Sequence, residues 1–149
     1  MTDTPLADTE FRILLVEDDP TNRMIMERLV ERIPGCHAVS FAHPIDLIAA
    51  LDMVEFDVAI VDYQLPGLNG IELIKEIHQH PAHTDKPMVI VTADKDRDTR
   101  IEALTSGAVD FLNKPLEIVE FKARVRNLTK LAEALRLGQF GEVPVLSIF

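Results

Sequence analysis

The sequence predicts an α/β domain of three layers, a doubly wound (βα)5 arrangement in which helices cover both faces of a five-stranded parallel sheet. Three observations predict it. Short apolar runs alternate with helix-patterned segments five times along the chain. Most of the runs are apolar throughout, as strands buried on both faces must be. Parallel strands need crossover connections, and the intervening helices supply them. The length of 149 residues suits one domain that buries about 70% of the surface its unfolded chain exposes.

The elements follow in order. Residues 1–10 are polar, include Pro5 and show no periodicity, so a mobile arm is expected ahead of the domain. RILLVE, from Arg12, is a buried-strand run, and Pro20 in DDPTNRMIMERLVERI stands where a first helical turn tolerates proline. HAVSFA is a second short strand, and Pro44 opens a helix through Leu51. DVAIVDY is a third apolar strand, stopped by LPGLNG. In NGIELIKEIHQ, Ile71, Ile74 and Ile77 share one helical face. PMVIVTA is the fourth strand, and the helix DRDTRIEALTSG ends on Gly107 as a left-handed cap would. VDFLNKP is the fifth strand.

The last helix carries Ile118, Phe121, Val125, Leu128, Ala132 and Leu135 at three-four spacing, with Leu131 widening the stripe. Its first half reads as core. Beyond Leu128 the stripe outruns what a compact domain usually covers, which favours pairing with a second copy or continuation into another module. The domain is accordingly placed at 11–130, with 131–149 a helix extension and tail. The terminal GQFGEVPVLSIF receives no role.

Composition narrows the function. The net charge of −10 and pI near 4.8 argue against a domain that grips nucleic acid or anionic lipid directly. The single cysteine, Cys36, excludes an internal disulfide and a thiolate zinc cage, and reads as a small buried hydrophobe. The N-terminus lacks a basic segment followed by an apolar one, and no apolar run approaches the ~18 residues of a membrane span, so a cytoplasmic protein is expected.

In doubly wound sheets the ligand sits beyond the carboxyl ends of the strands, near the point where strand order reverses. Strand one ends in Glu17, Asp18 and Asp19, strand three in Asp62, strand four in Thr92, and strand five in Lys114 and Pro115. Gathered carboxylates repel one another unless a cation lies among them, and all-oxygen ligands suit Mg²⁺ best. Lys114 supplies a point charge and Thr92 a hydroxyl, the groups a transferred phosphoryl needs at its oxygens. Asp62 is then the natural nucleophile. One acidic residue after a strand is commonly only a cap or turn former; four strand ends with matching chemistry are not.

ILLVEDDP, VDYQLPGLNG, VIVTAD and FLNKP resemble the four signatures of receiver domains in two-component signalling, over about residues 11–130. The resemblance implies strand order 2-1-3-4-5, a flavodoxin-like fold. It makes Glu17 and Asp18 the metal-binding acidic pair, Asp62 the phosphoacceptor and Asp19 a flanking cap. It further implies that the Gln64 backbone carbonyl contacts the metal (Mg²⁺ or Mn²⁺), and that Thr92 is the switch hydroxyl. Lys114 would pair with the phosphoryl group, followed by a cis Pro115. Phe111 is either the switch aromatic or plain core, and Gln64 and Asp94 would set the dephosphorylation rate. Two departures are Leu65 where Met is commoner and Glu17 where many members have Asp.

The implied partners are a histidine kinase or histidine phosphotransfer protein as donor, and a downstream effector or output domain. A homodimer through helix four, strand five, helix five and the extension of that last helix is a further expectation, with no direct nucleic-acid or membrane contact. The tail is too short for a DNA-binding or cyclase module. Such a domain is not a conventional enzyme; it catalyses its own aspartyl phosphorylation and dephosphorylation. Three rivals are weighed. A haloacid-dehalogenase-like phosphatase generally needs a second Asp two residues after the nucleophile, where this chain has Gln64. A flavin module would not need four convergent polar positions. A scaffold receiver without phosphorylation sits poorly with an intact residue set. His78, His80 and His83 read as an exposed loop more readily than a metal site. Arg97, Arg100, Arg124 and Arg126 stay unassigned.

Overall fold

The computed structural model describes residues 10–93, 97–108 and 110–136. Asp94, the tail, and all of the expected arm except Glu10 lie outside the described residues.

Five parallel strands, β1 (Phe11–Val16), β2 (Cys36–Phe41), β3 (Val58–Asp62), β4 (Met88–Thr92) and β5 (Asp110–Asn113), form one sheet in the order β2-β1-β3-β4-β5. The helices are α1 (Pro20–Glu31), α2 (Pro44–Ala50), α3 (Gly70–Gln79), α4 (Arg97–Thr105) and α5 (Ile118–Arg136), with a 3-10 turn at Pro81–His83. This is the fold and the strand order expected. Alternation within β1 explains the layers. Ile13 and Leu15 enter one core with Met26, Val30, Phe121 and Val125, while Leu14 and Val16 enter the other with Ile71, Ile74 and Ile77. Helices α1 and α5 thus cover one face, and α2, α3 and α4 the other.

Local chemistry starts the helices. The Asp19 carboxylate accepts the Asn22 N–H at 2.8 Å, with Pro20 in the first turn, so Asp19 is the cap expected of it. Asn69 and Glu72 form a reciprocal capping box at the start of α3, each bond 2.9 Å. Gly107, at φ +112°, adopts the left-handed conformation anticipated after α4. Helix α4 is the least anchored: among its described side chains only Ala103 is buried, against five residues in α3.

Two expectations are corrected. The stripe of α5 does not outrun the domain at Leu128: Leu131 and Ala132 are 7% and 4% exposed, and Ala132 joins the α1 and α5 core. The last residue of the helix also folds back. Arg136 bonds Asp57 at 2.9 Å and the Glu10 carbonyl at 2.8 Å, and its guanidinium lies 4.2 Å from the Phe11 ring centroid. The histidine segment is not a solvated loop either. His83 is 3% exposed, stacks on Phe56 at 4.6 Å and donates from Nε2 to the Leu51 carbonyl at 2.9 Å. Burial holds its pKa below the ordinary value. His80 pairs with Asp52 at 2.6 Å.

Candidate functional site

Register brings the distant residues level. Val16 pairs with Val61, Asp62 with Val91, and Thr92 with Asn113, so positions 17, 62, 92 and 114 emerge together at the carboxyl edge of the sheet. The Lys114 N–H donates to the Thr92 carbonyl at 2.9 Å, extending that edge past β5. The peptide bond from Lys114 to Pro115 is cis.

One carboxylate oxygen from each of Glu17, Asp18 and Asp62 lies within 4.8 Å of the others. Glu17 and Asp62 are buried and Asp18 is exposed, so the cluster opens on one side. Lys114 Nζ lies 3.0 Å from Glu17 Oε1 and 3.0 Å from Asp62 Oδ1. Burial lifts the Asp62 carboxyl to about 6; the Lys114 hydrogen bond opposes that rise and the Glu17 charge adds to it. Burial alone would lower the Lys114 ammonium, but its bonds to Asp62 and Glu17 prevail and hold it above its ordinary value. Below pH 6 Asp62 is thus largely protonated, and near neutrality it is an ionised, buried carboxylate, a group of the kind that can serve as an oxygen nucleophile.

Thr92 is buried at the end of β4, beside the cluster in the sheet order. Gln64 is exposed, two residues past Asp62. Phe111 is half-buried, packed against the α3 side of the core, with the Arg100 guanidinium 4.6 Å from its ring centroid. Two supporting residues escaped the sequence reading. Arg23 Nη1 donates to the carbonyls of Glu17 at 3.0 Å and Asp18 at 3.4 Å, bracing the loop that carries the acidic pair. Its signal would have been a cation one turn into a helix that follows an acidic run. At Gly70 a Cβ would stand 2.4 Å from the Asp62 carbonyl oxygen, so the close approach of α3 to the end of β3 requires glycine.

A family model described as response regulator receiver domain matches residues 13–126. The chain belongs to this family. Among relatives of the receiver, the cyclic di-GMP phosphodiesterase response regulator RpfG of Xanthomonas campestris is 31% identical over 128 residues, covering 85% of this chain and 34% of that protein. The response regulator PleD of Caulobacter vibrioides is 34% identical over 120 residues, covering 80% of this chain and 26% of that protein. The receiver therefore spans about a third or less of the length of these relatives. Among solved structures, the receiver domain of the Francisella response regulator 1452 superposes with a TM-score of 0.73 at 26% identity, covering 81% of this chain and 98% of that one. The protein is thus a receiver domain of two-component response regulators, a family that works with histidine kinases and output domains and binds Mg²⁺ at an acidic pocket. Nothing in the comparisons points to a phosphatase or flavin module. No helix among the described residues is long and apolar enough to cross a membrane.

Proposed function

We propose that this receiver is a phosphorylation switch whose acceptor is Asp62, and that a histidine kinase or histidine phosphotransfer protein is its donor. The observation that carries the reading is the gathering of three carboxylates around one buried edge with Lys114 bonded to two of them. A carboxylate oxygen of Asp62 attacks the phosphorus of a phosphohistidine. The new O–P bond forms as the N–P bond breaks, and the imidazole leaves with the electron pair. The Lys114 ammonium, already 3.0 Å from the acceptor, faces the negative oxygens of the transferred group, and Thr92 offers its hydroxyl.

Glu17, Asp18 and Asp62 are hard oxygen donors of the kind Mg²⁺ takes, and with the Gln64 carbonyl they are the residues that would hold it (or Mn²⁺). A bound cation of this kind neutralises charge that builds on the phosphoryl oxygens. A groove of about 500 Å³ beside the cluster, lined by Asn22, Ile25, Met26, Pro115 and Leu116, supports donor docking against α1. Gln64 and Asp94 set the rate at which water removes the group. Once Asp62 is phosphorylated, Thr92 and Lys114 move toward the phosphoryl group, Phe111 follows, and the face of α4, β5 and α5 changes for an effector, an output domain or a second copy. Exposed Ile101, Leu104, Ile118 and Val119 on α4 and α5 support that choice of face.

Intact mass after incubation with Mg²⁺ and acetyl phosphate tests the proposal. One phosphoryl addition is expected in the wild type and none in Asp62→Asn; addition persisting in that variant would move the acceptor elsewhere. A sizing column run on the phosphorylated protein reads whether the altered face pairs two copies.

A further inference from the structure

Arg100 projects from the weakly anchored α4 onto β5. Its guanidinium lies 4.6 Å from the centroid of the Phe111 ring, and Nη2 donates to Asn113 Oδ1 at 3.4 Å. Phe111 and Asn113 are alternate residues of β5, so both stand on the side of the strand that α4 covers. Asn113 pairs with Thr92 across the sheet and immediately precedes Lys114, which is bonded to Asp62. One side chain thus touches both the aromatic of β5 and the residue joining that strand to the acidic cluster.

The hydrogen bonding of Arg100 is poor for a structural rivet. The bond to Asn113 is long, and the buried Nε has no hydrogen-bond partner among the described residues. A buried donor without an acceptor destabilises the arrangement that holds it, so this placement of the guanidinium is easier to displace than a fully bonded one. The stacking contact on Phe111 is then what holds the guanidinium in place. With only Ala103 of α4 buried among its described side chains, this contact is one of the ties that join the helix to β5.

We infer that Arg100 is a positioning residue for the switch: stacked on Phe111, it latches α4 to β5 in the resting state and opposes the rearrangement that favours phosphorylation of Asp62. This rests on the proposed phosphorylation of Asp62 and on Phe111 moving with it. The latch acts on the population of the two states and touches no reacting atom.

Weakening the latch therefore favours the reactive arrangement. In the full chain with Mg²⁺ and acetyl phosphate, Arg100→Met is expected to phosphorylate about two- to fivefold faster than wild type, the range of a partly exposed cation–π contact. Arg100→Lys, which keeps the charge and loses the planar face, should fall between them. The decisive reading is a double-mutant cycle with Phe111→Leu. If the ring is the partner, Arg100→Met changes the rate little further in that background. An equal acceleration with and without the ring would overturn the latch, as would an unchanged rate in Arg100→Met. Wild type that takes up no phosphoryl group would instead sink the underlying switch. The latch is then read by hydrogen exchange alone, with α4 amides exchanging faster in Arg100→Met but not further in the double variant. Unaltered exchange in Arg100→Met overturns it.

Discussion

At the scale of single residues, the electrostatics of Asp62 sets a testable conflict between fold and function. A carboxyl whose folded pKa of about 6 exceeds the ordinary 3.8 is held by the fold in its protonated form. Its ionisation therefore destabilises the fold: not at all below the unfolded pKa, progressively as pH rises through the window from about 4 to 6, and fully above it. The full effect is about 2–3 kcal/mol at most. In the absence of divalent cations, Asp62→Asn should raise the urea-unfolding free energy at pH 7.5 and leave it nearly unchanged at pH 4. An equal gain at both values would mean that burial of the charge is not the cause. The residue types at the strand ends could be read from the sequence because each follows an apolar run. Arg23 left only the weak signal of a cation one turn into a helix, since it acts through backbone carbonyls, and Gly70 left none, since it acts through the space it leaves.

At the scale of elements, the last helix shows how a local pattern misleads. Three-four spacing reports that a face is apolar but not what covers it. The covering of Leu131 and Ala132 is internal, and Arg136 ties the end of α5 to the start of β1 and to Asp57. Leu131→Ala should then cost about 2–4 kcal/mol of stability at any protein concentration, measured by urea denaturation. A loss under about 0.5 kcal/mol, or one that appears only at high concentration, would return this stripe to a second copy. The histidine segment misled in the opposite sense. Polar residues flanking Pro81 look solvated in sequence, yet the 3-10 turn folds His83 under Phe56, where its one bonded nitrogen meets the Leu51 carbonyl.

At the scale of the whole molecule, a chain of net charge −10 concentrates three of its carboxylates at one edge. Binding of a divalent cation there should stabilise the folded state by mass action, about 2.7 kcal/mol at a hundredfold excess over Kd. For a domain of this size the melting temperature then rises by about 5–10 °C. Scanning calorimetry with Mg²⁺ and after EDTA treatment measures it. The same rise in Asp18→Asn combined with Asp62→Asn would show that the cation binds elsewhere.

The alternation of apolar runs with helical patterns was enough to determine the layers, the parallel sheet and the helix starts marked by Pro20 and Pro44, because periodicity and first-turn proline are local properties of the chain. The same local logic put Glu17, Asp18, Asp62, Thr92 and Lys114 at strand ends. Tertiary structure alone decided that these ends are level, that Lys114 lies 3.0 Å from two carboxylates, that Arg100 stacks on Phe111, and that the far end of α5 is covered by its own domain. Each depends on register and packing between segments far apart in sequence, and no single segment carries that information in its own pattern.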